Sequence, residues 1–197
     1  MEFRNVLRRR RMVRRFVQKP IPTDVLERVL ASVHHAPSAG FSQGVALIVL
    51  DTPEQLRHFW KTTAPPGTSA GDFAQFTRGG PPVIVLPFSD KRLYLERYSQ
   101  PDKAGFGMDV EEGWPVPYWE IDTAMAIMLM LLTAVDEGLG GWLFGIFDGE
   151  EQLLSDLGVP EGPRLLGAVA LGYPDRRDRP FRPDHRPLEE IVHRGCW

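Results

Sequence analysis

Only one cysteine, Cys196, occurs in the 197 residues, and it stands next to the last residue. No intramolecular disulfide and no cysteine-based metal cluster can form, and a reducing cytoplasm suits such a chain. An excess of positive charge is missing as well: 23 Lys and Arg against 26 Asp and Glu leave a formal charge of −3 and a pI near 6.0. Proteins that coat nucleic acid carry a basic excess over a whole face, so any basic site here has to be local. The start, Met1-Glu2-Phe3-Arg4, lacks the apolar stretch of a secretory signal, and the most apolar window, Ala124 to Val135, is shorter than a bilayer span. Neither export nor membrane insertion is expected. There is no GxSxG elbow, no HExxH, no acidic calcium loop, no P-loop and no GxGxxG fingerprint. Hydrolase and metalloenzyme readings lose support, and no metal site is expected. The 18 prolines and 19 glycines are scattered, and no internal repeat is visible.

What is present is enough apolar residue, 43 %, to bury one substantial core, so a single domain over residues 1–197 is expected. Val25, Leu26, Val29, Leu30 and Val33 follow helical spacing after Thr23, a candidate N-cap. The unbroken apolar run Val45 to Leu50 reads as a strand buried on both faces. Thr52-Pro53-Glu54-Gln55 is a capping box with proline at the first helical position. Ala64 to Gly80 reads as a mobile connection, and Pro82 to Phe88 as a second short strand. From Ser89 to Trp119 charged and aromatic residues alternate without a stable period, and a connection this long is expected to be a lid or a partner-facing excursion. Ile121 to Val135 is apolar nearly all the way round; as a helix it needs cover on almost every side, which points to a second subunit. Gly138 and Gly140 end it, Asp148 is placed to cap a helix through Leu157, and Leu165 to Tyr173 reads as the last strand. Helices and strands do not alternate regularly, so the expected class is α+β, with helices around a central, mostly antiparallel sheet.

Three stretches carry possible chemistry. Seven arginines fall between Arg4 and Arg15, and Arg10, Arg11 and Arg14 could clamp one phosphate by bidentate, charge-assisted hydrogen bonds. From composition alone a solvated helical face or a nucleic-acid arm stays open beside that reading. Pro37-Ser38-Ala39-Gly40-Phe41-Ser42-Gln43 is a loop of mostly small residues where backbone can approach a flat ligand, and an ordinary turn is its plainer reading. Gly138-Leu139-Gly140-Gly141-Trp142-Leu143-Phe144-Gly145 frees backbone amides in the same way, although helix termination explains its glycines equally well. His34 and His35 at a helix end and the pair Glu111-Glu112 in a polar loop are given no catalytic role.

Taken together and in this order, Arg10-Arg11-Met12-Val13-Arg14-Arg15-Phe16, Ala36 to Gln43, and Gly138 to Gly145 followed by Leu171-Gly172-Tyr173-Pro174 resemble the FMN-dependent nitroreductase family. Arg186-Pro187-Leu188-Glu189-Glu190-Ile191-Val192 is similar to that family's C-terminal phosphate-contacting segment. The resemblance implies a nitroreductase-like homodimer with two FMN sites at the subunit interface, each built from both chains. Arg10, Arg11 and Arg186 would bind the phosphate, and Arg14 the N1/O2 edge of the ring, where positive charge favours reduced flavin. Pro37, Ser38 and Ala39 would contact the ring from the neighbouring chain, and Phe144 and Gly145 would bring backbone amides near N5. Met12, Gln43 and Leu143 belong to the same cofactor-binding set, while Phe41, Trp114 and Tyr118 are expected to line the substrate pocket. This sequence departs from the family pattern at Met12, where serine is usual, at Phe41, where asparagine is usual, and at Gly44-Val45, in place of Pro-Trp.

The implied reaction is ping-pong, from NADH or NADPH through bound FMN to a small organic acceptor, with no side-chain nucleophile. No residue pattern chooses between the two nicotinamides. A deazaflavin-using enzyme, a specialised flavin reaction such as dehalogenation or flavin fragmentation, and a flavin-storing protein are the alternatives.

Overall fold

The computed structural model describes residues 1–68, 80–177 and 184–197. Of the connection expected over residues 64–80, positions 69–79 lie outside the described residues.

The strand that organises the fold is β2 (Val83–Ser89), buried along its whole length. Successive side chains of a strand point to opposite faces, so its apolar run must be covered twice. Val83 and Val85 enter one core with Leu26, Val29, Ile127, Met130 and Leu131. Ile84, Leu86 and Phe88 enter another with Leu50, Phe59, Leu153 and Leu165. The first layer comes from helices α2 (Thr23–Ala31) and α5 (Tyr118–Asp136), the second from α3 (Pro53–Thr62) and α6 (Glu150–Asp156). The remaining α-helices among the described residues are α1 (Phe3–Arg9) and α4 (Lys91–Tyr98).

Strands β1 (Val45–Leu50), β2, β5 (Ala168–Gly172) and β3 (Gly140–Phe144) lie in that spatial order, and every pairing between them is antiparallel. The expected α+β class with a mostly antiparallel sheet is therefore what forms. Short β4 (Arg164–Leu165) also pairs with β2.

Local departures from expectation have local causes. Val45–Leu50 is a strand, but it lies at the sheet edge and only Leu50 is fully buried, so cover on both faces is corrected to partial cover. The single strand expected over Leu165–Tyr173 is interrupted: Gly167 takes φ 110°, and a side chain there would meet the Phe144 carbonyl at 2.6 Å. Thr23 begins α2 without capping it; Pro22 precedes it and its carbonyl accepts from the Val25 and Leu26 amides. Gly149, not Asp148, occupies the N-cap of α6. The Thr52–Gln55 capping box forms in both directions, with Pro53 at the helix start.

Helix α5 is longer than its apolar window, and by length and composition it could cross a membrane. Packing decides otherwise: Ala126, Ile127, Met130, Leu131 and Ala134 are buried against the sheet. Gly138, at φ 78°, ends it with two backbone bonds, Gly138 to Val135 and Leu139 to Ala134. That is the left-handed termination expected where a chain must turn directly into a strand.

Candidate active site

Beyond α1 the chain runs extended along the free edge of β3. Met12 bridges Gly141 in parallel, the Val13 amide donates to the Gly141 carbonyl at 3.0 Å, and Phe16 bridges Pro174. Val17 donates to Tyr173 and Asp175 to Arg15, so the segment is stitched at both ends. Val13 and Phe16 bury their side chains against Ala170 and leave Arg14 and Arg15 exposed. Gly140 is required for this contact, since a Cβ there would lie 2.5 Å from Val13 Cγ2.

The Arg14 guanidinium stands 5.7 Å from the Trp142 ring centre, within cation–π range. Trp142 leans on Phe144 at 4.5 Å, and Phe144 stacks on Trp60 at 5.8 Å. Met12 and Arg14 are thus brought beside Gly141 and Trp142, with Leu143 and Phe144 further along the same strand and Arg10 and Arg11 just before the clipped segment, although the two stretches are about 130 residues apart in sequence. A guanidinium over an aromatic wall, with further arginines just before it in the chain, suits a flat ligand that carries a phosphate, because guanidinium forks match phosphate oxygens.

The loop Pro37–Gln43 is held elsewhere. Asp122, buried near the start of α5, accepts from the Ala39 amide at 2.8 Å and from the Tyr94 hydroxyl at 2.9 Å, both on Oδ2. Burial and this bond raise the Tyr94 phenol above its ordinary range and keep it a donor. Ser38 Oγ accepts from the Gln43 amide, and Arg97 Nε donates to the Gly40 carbonyl while its fork grips Asp102. Along α5, Asp122 lies nine residues from Leu131, which packs under Gly141; that is about 14 Å at 1.5 Å per residue. Within one protomer the arginine edge and the small-residue loop are therefore apart.

Phe41 projects into solvent, 74 % exposed. Tyr118 is partly exposed at the start of α5. Trp114 is turned inward, packed against Tyr94, Tyr98, Tyr118 and Trp119, with its indole N–H on the Met108 carbonyl. The segment expected as a lid accordingly opens with a capped helix, α4, and braces the loop through aromatic contacts. Arg186 pairs with the carboxylate and carbonyl of Glu190, four residues on. All of residues 184–197 are exposed, Leu188, Ile191, Val192 and Trp197 included.

Sequence reasoning missed Asp122, Tyr94 and Arg97. The signal for Asp122 was present, because it is the only charge between Ile121 and Val135, and a charge in an apolar helix needs a partner.

Comparison with known proteins gives the family and the fold. A relative in Archaeoglobus fulgidus, whose name pairs NADH dehydrogenase with NAD(P)H nitroreductase, is 27 % identical over 95 % of this chain and 94 % of its own. The 5,6-dimethylbenzimidazole synthase of Rhodobacter capsulatus is 30 % identical over 98 % of this chain and 88 % of its own. The fold is shared with the NADPH:FMN oxidoreductase of Vibrio harveyi, solved with NAD+, at a TM-score of 0.74 and 20 % identity, covering 99 % of this chain and 77 % of that one. The Nitroreductase family model matches residues 7–173, from the arginine edge through the last strand, and the chain is thus an enzyme of the Nitroreductase family.

Proposed function

We propose that the protein is a homodimeric oxidoreductase that binds FMN, takes electrons from NADH or NADPH and passes them to a small organic acceptor such as a quinone or nitroaromatic. The observation that carries this reading is the arginine segment clipped to the free edge of β3 beside Trp142 and Phe144. FMN, when bound, supplies the two-electron chemistry at N5. The chain's own groups would bind and orient it: Arg10 and Arg11 would hold the phosphate, Arg14 would lend positive charge to the ring edge, and the amides of Phe144 and Gly145 would serve N5. Met12 and Leu143 lie beside them, and Arg186 would add a third phosphate contact. Pro37, Ser38, Ala39 and Gln43 would reach the ring from the neighbouring subunit, with Phe41 and Tyr118 toward the acceptor; Trp114, expected to line that pocket, is instead buried in the cluster that braces the loop.

Two features support the dimer. Tyr118, Ile121, Met125 and Met128 leave an exposed apolar seam on α5 at spacings of three and four residues, the pattern of a helix that meets another. The exposed C-terminal segment carries apolar side chains that a second copy would cover.

A second reading is favoured by the Rhodobacter capsulatus relative: flavin carries the same dimethyl-substituted benzene ring as the 5,6-dimethylbenzimidazole in that enzyme's name. One experiment separates the two. Purified protein is dialysed, loaded with FMN and mixed anaerobically with NADH or NADPH, then opened to air. Bleaching of the bound-flavin spectrum followed by its full return supports the oxidoreductase. Irreversible loss of flavin with a dimethylbenzimidazole product, read by mass spectrometry, supports the second reading, and failure to bind FMN overturns both.

A further inference from the structure

The loop at residues 40–43 is held in a shape its residues do not favour. Gly40, Phe41 and Gln43 have φ of 61°, 59° and 54°, all left-handed. Glycine takes this conformation without penalty, but a bulky side chain such as phenylalanine is rare there, and such conformations persist only where the surroundings impose them. Here the surroundings are identifiable. Asp122 Oδ2 fixes Ala39 and Tyr94 at 2.8 and 2.9 Å, and Arg97 fixes the Gly40 carbonyl at 2.9 Å. A Cβ on Gly40 would fall 2.7 Å from the Tyr98 ring, and one on Gly44 would fall 2.5 Å from the Tyr94 ring. Behind these stands the buried cluster of Tyr94, Trp114 and Trp119. A rigid, buried support therefore ends in one large side chain with almost nothing of its own protomer around it, since Phe41 is 74 % exposed.

We propose that Asp122, with Tyr94 and Arg97 as its helpers, is a positioning residue whose task is to present Phe41 as a fixed wedge that limits the size of the acceptor. The inference rests on the flavin reading above, in which this loop faces the flavin of the neighbouring subunit. Asp122 acts through the Ala39 amide, not on the reacting atoms, and Phe41 acts by its volume. A wedge on a soft loop would yield to a bulky acceptor; one on a loop fixed at both ends cannot. Asparagine at this position would fill less of the approach and sits easily in the left-handed region.

The test measures kcat and KM of the FMN-loaded enzyme with two acceptors of different bulk, 1,4-benzoquinone and menadione, under saturating NADH or NADPH. In Phe41→Gly, where the left-handed φ is kept without strain, the ratio of kcat/KM for menadione to that for benzoquinone rises about tenfold. Asp122→Leu removes the acceptor for both bonds and moves the ratio the same way. Asp122→Asn keeps an oxygen that can accept from Ala39 and Tyr94, and it holds the ratio within about twofold of wild type. Where Asp122→Leu does not fold, Tyr94→Phe, which deletes one of the two bonds, takes its place. A ratio unmoved in Phe41→Gly overturns the wedge, and a ratio moved equally by Asp122→Asn and Asp122→Leu overturns the positioning role. Wild type that turns over neither quinone overturns the flavin reading itself, a result distinct from both.

Discussion

At the scale of single residues, the arginine-rich start divides into two groups that composition could not separate. Arg4 and Arg8 lie on α1, where Arg8 bonds Asn5 and the Arg4 carbonyl. Arg14 stands on the sheet edge over Trp142. Losing a charge-assisted bond to a bound phosphate-bearing ligand costs about 1.5–3 kcal/mol, so Arg14→Ala should weaken FMN retention about 10- to 100-fold in an equilibrium dialysis measurement. Arg4→Ala should change it little, and equal losses from the two would point to a diffuse basic patch. Motif order made Arg10–Arg14 and Gly138–Gly145 legible as partners before any contact was known. Asp122 was legible as a lone charge that needs a partner, but its partners were not, because an apolar pattern does not show the two donors that reach it from the loop and from Tyr94.

At the scale of elements, the long-period signals were readable and the short ones were not. Helices α2, α3 and α5 and strand β2 stand within a few residues of where periodicity puts them. Strand β3 escaped because Gly140 and Gly141 lack the side chains from which a strand is recognised; both are bare for packing, against Val13 and Leu131. Helix α4 escaped because of its eight residues only Tyr94 is buried, which leaves no apolar stripe. What starts α4 is Asp90, whose carboxylate accepts from the Arg92 amide and from the Arg92 guanidinium, and Arg92 reaches on to the Glu161 carbonyl. The Arg92 hydrogen bonds hold the Asp90 carboxyl below the ordinary carboxylate range, against the opposing effect of burial. A lowered folded-state pKa gives stability that is complete above the unfolded value, about 4, and is lost as pH falls through the folded one. Asp90→Ala should therefore cost about 1 kcal/mol at pH 7, the value of a helix cap, with the gap to wild type narrowing below about pH 4 in thermal melts. A gap that widens in acid would show that the carboxylate does not serve as the cap.

At the scale of the whole molecule, one protomer carries an arginine edge and a small-residue loop that do not meet. The arginine edge lies against β3, and the small-residue loop lies about 14 Å away along α5. Between them runs an apolar seam, and beyond them an exposed tail. The α+β class and the need to cover α5 were legible from its all-round apolar character. Which face would remain open was not, because that depends on how α2 and the sheet divide its circumference. In the symmetric dimer proposed above, the edge of one copy and the loop of the other would be brought together twice.

The most direct measurement mixes two variants with different defects. Arg14→Ala subunits lose flavin from the edge, and Asp122→Leu subunits keep it but lack the ordered loop. After dissociation and random reassociation, each mixed dimer contains one site with both defects and one with neither. At an FMN concentration that leaves Arg14→Ala sites largely empty, about half of the flavin-bearing sites should then turn over menadione and benzoquinone with the wild-type ratio. A mixture in which all of the flavin-bearing sites keep the Asp122→Leu ratio would contradict the shared site and place each flavin within a single chain.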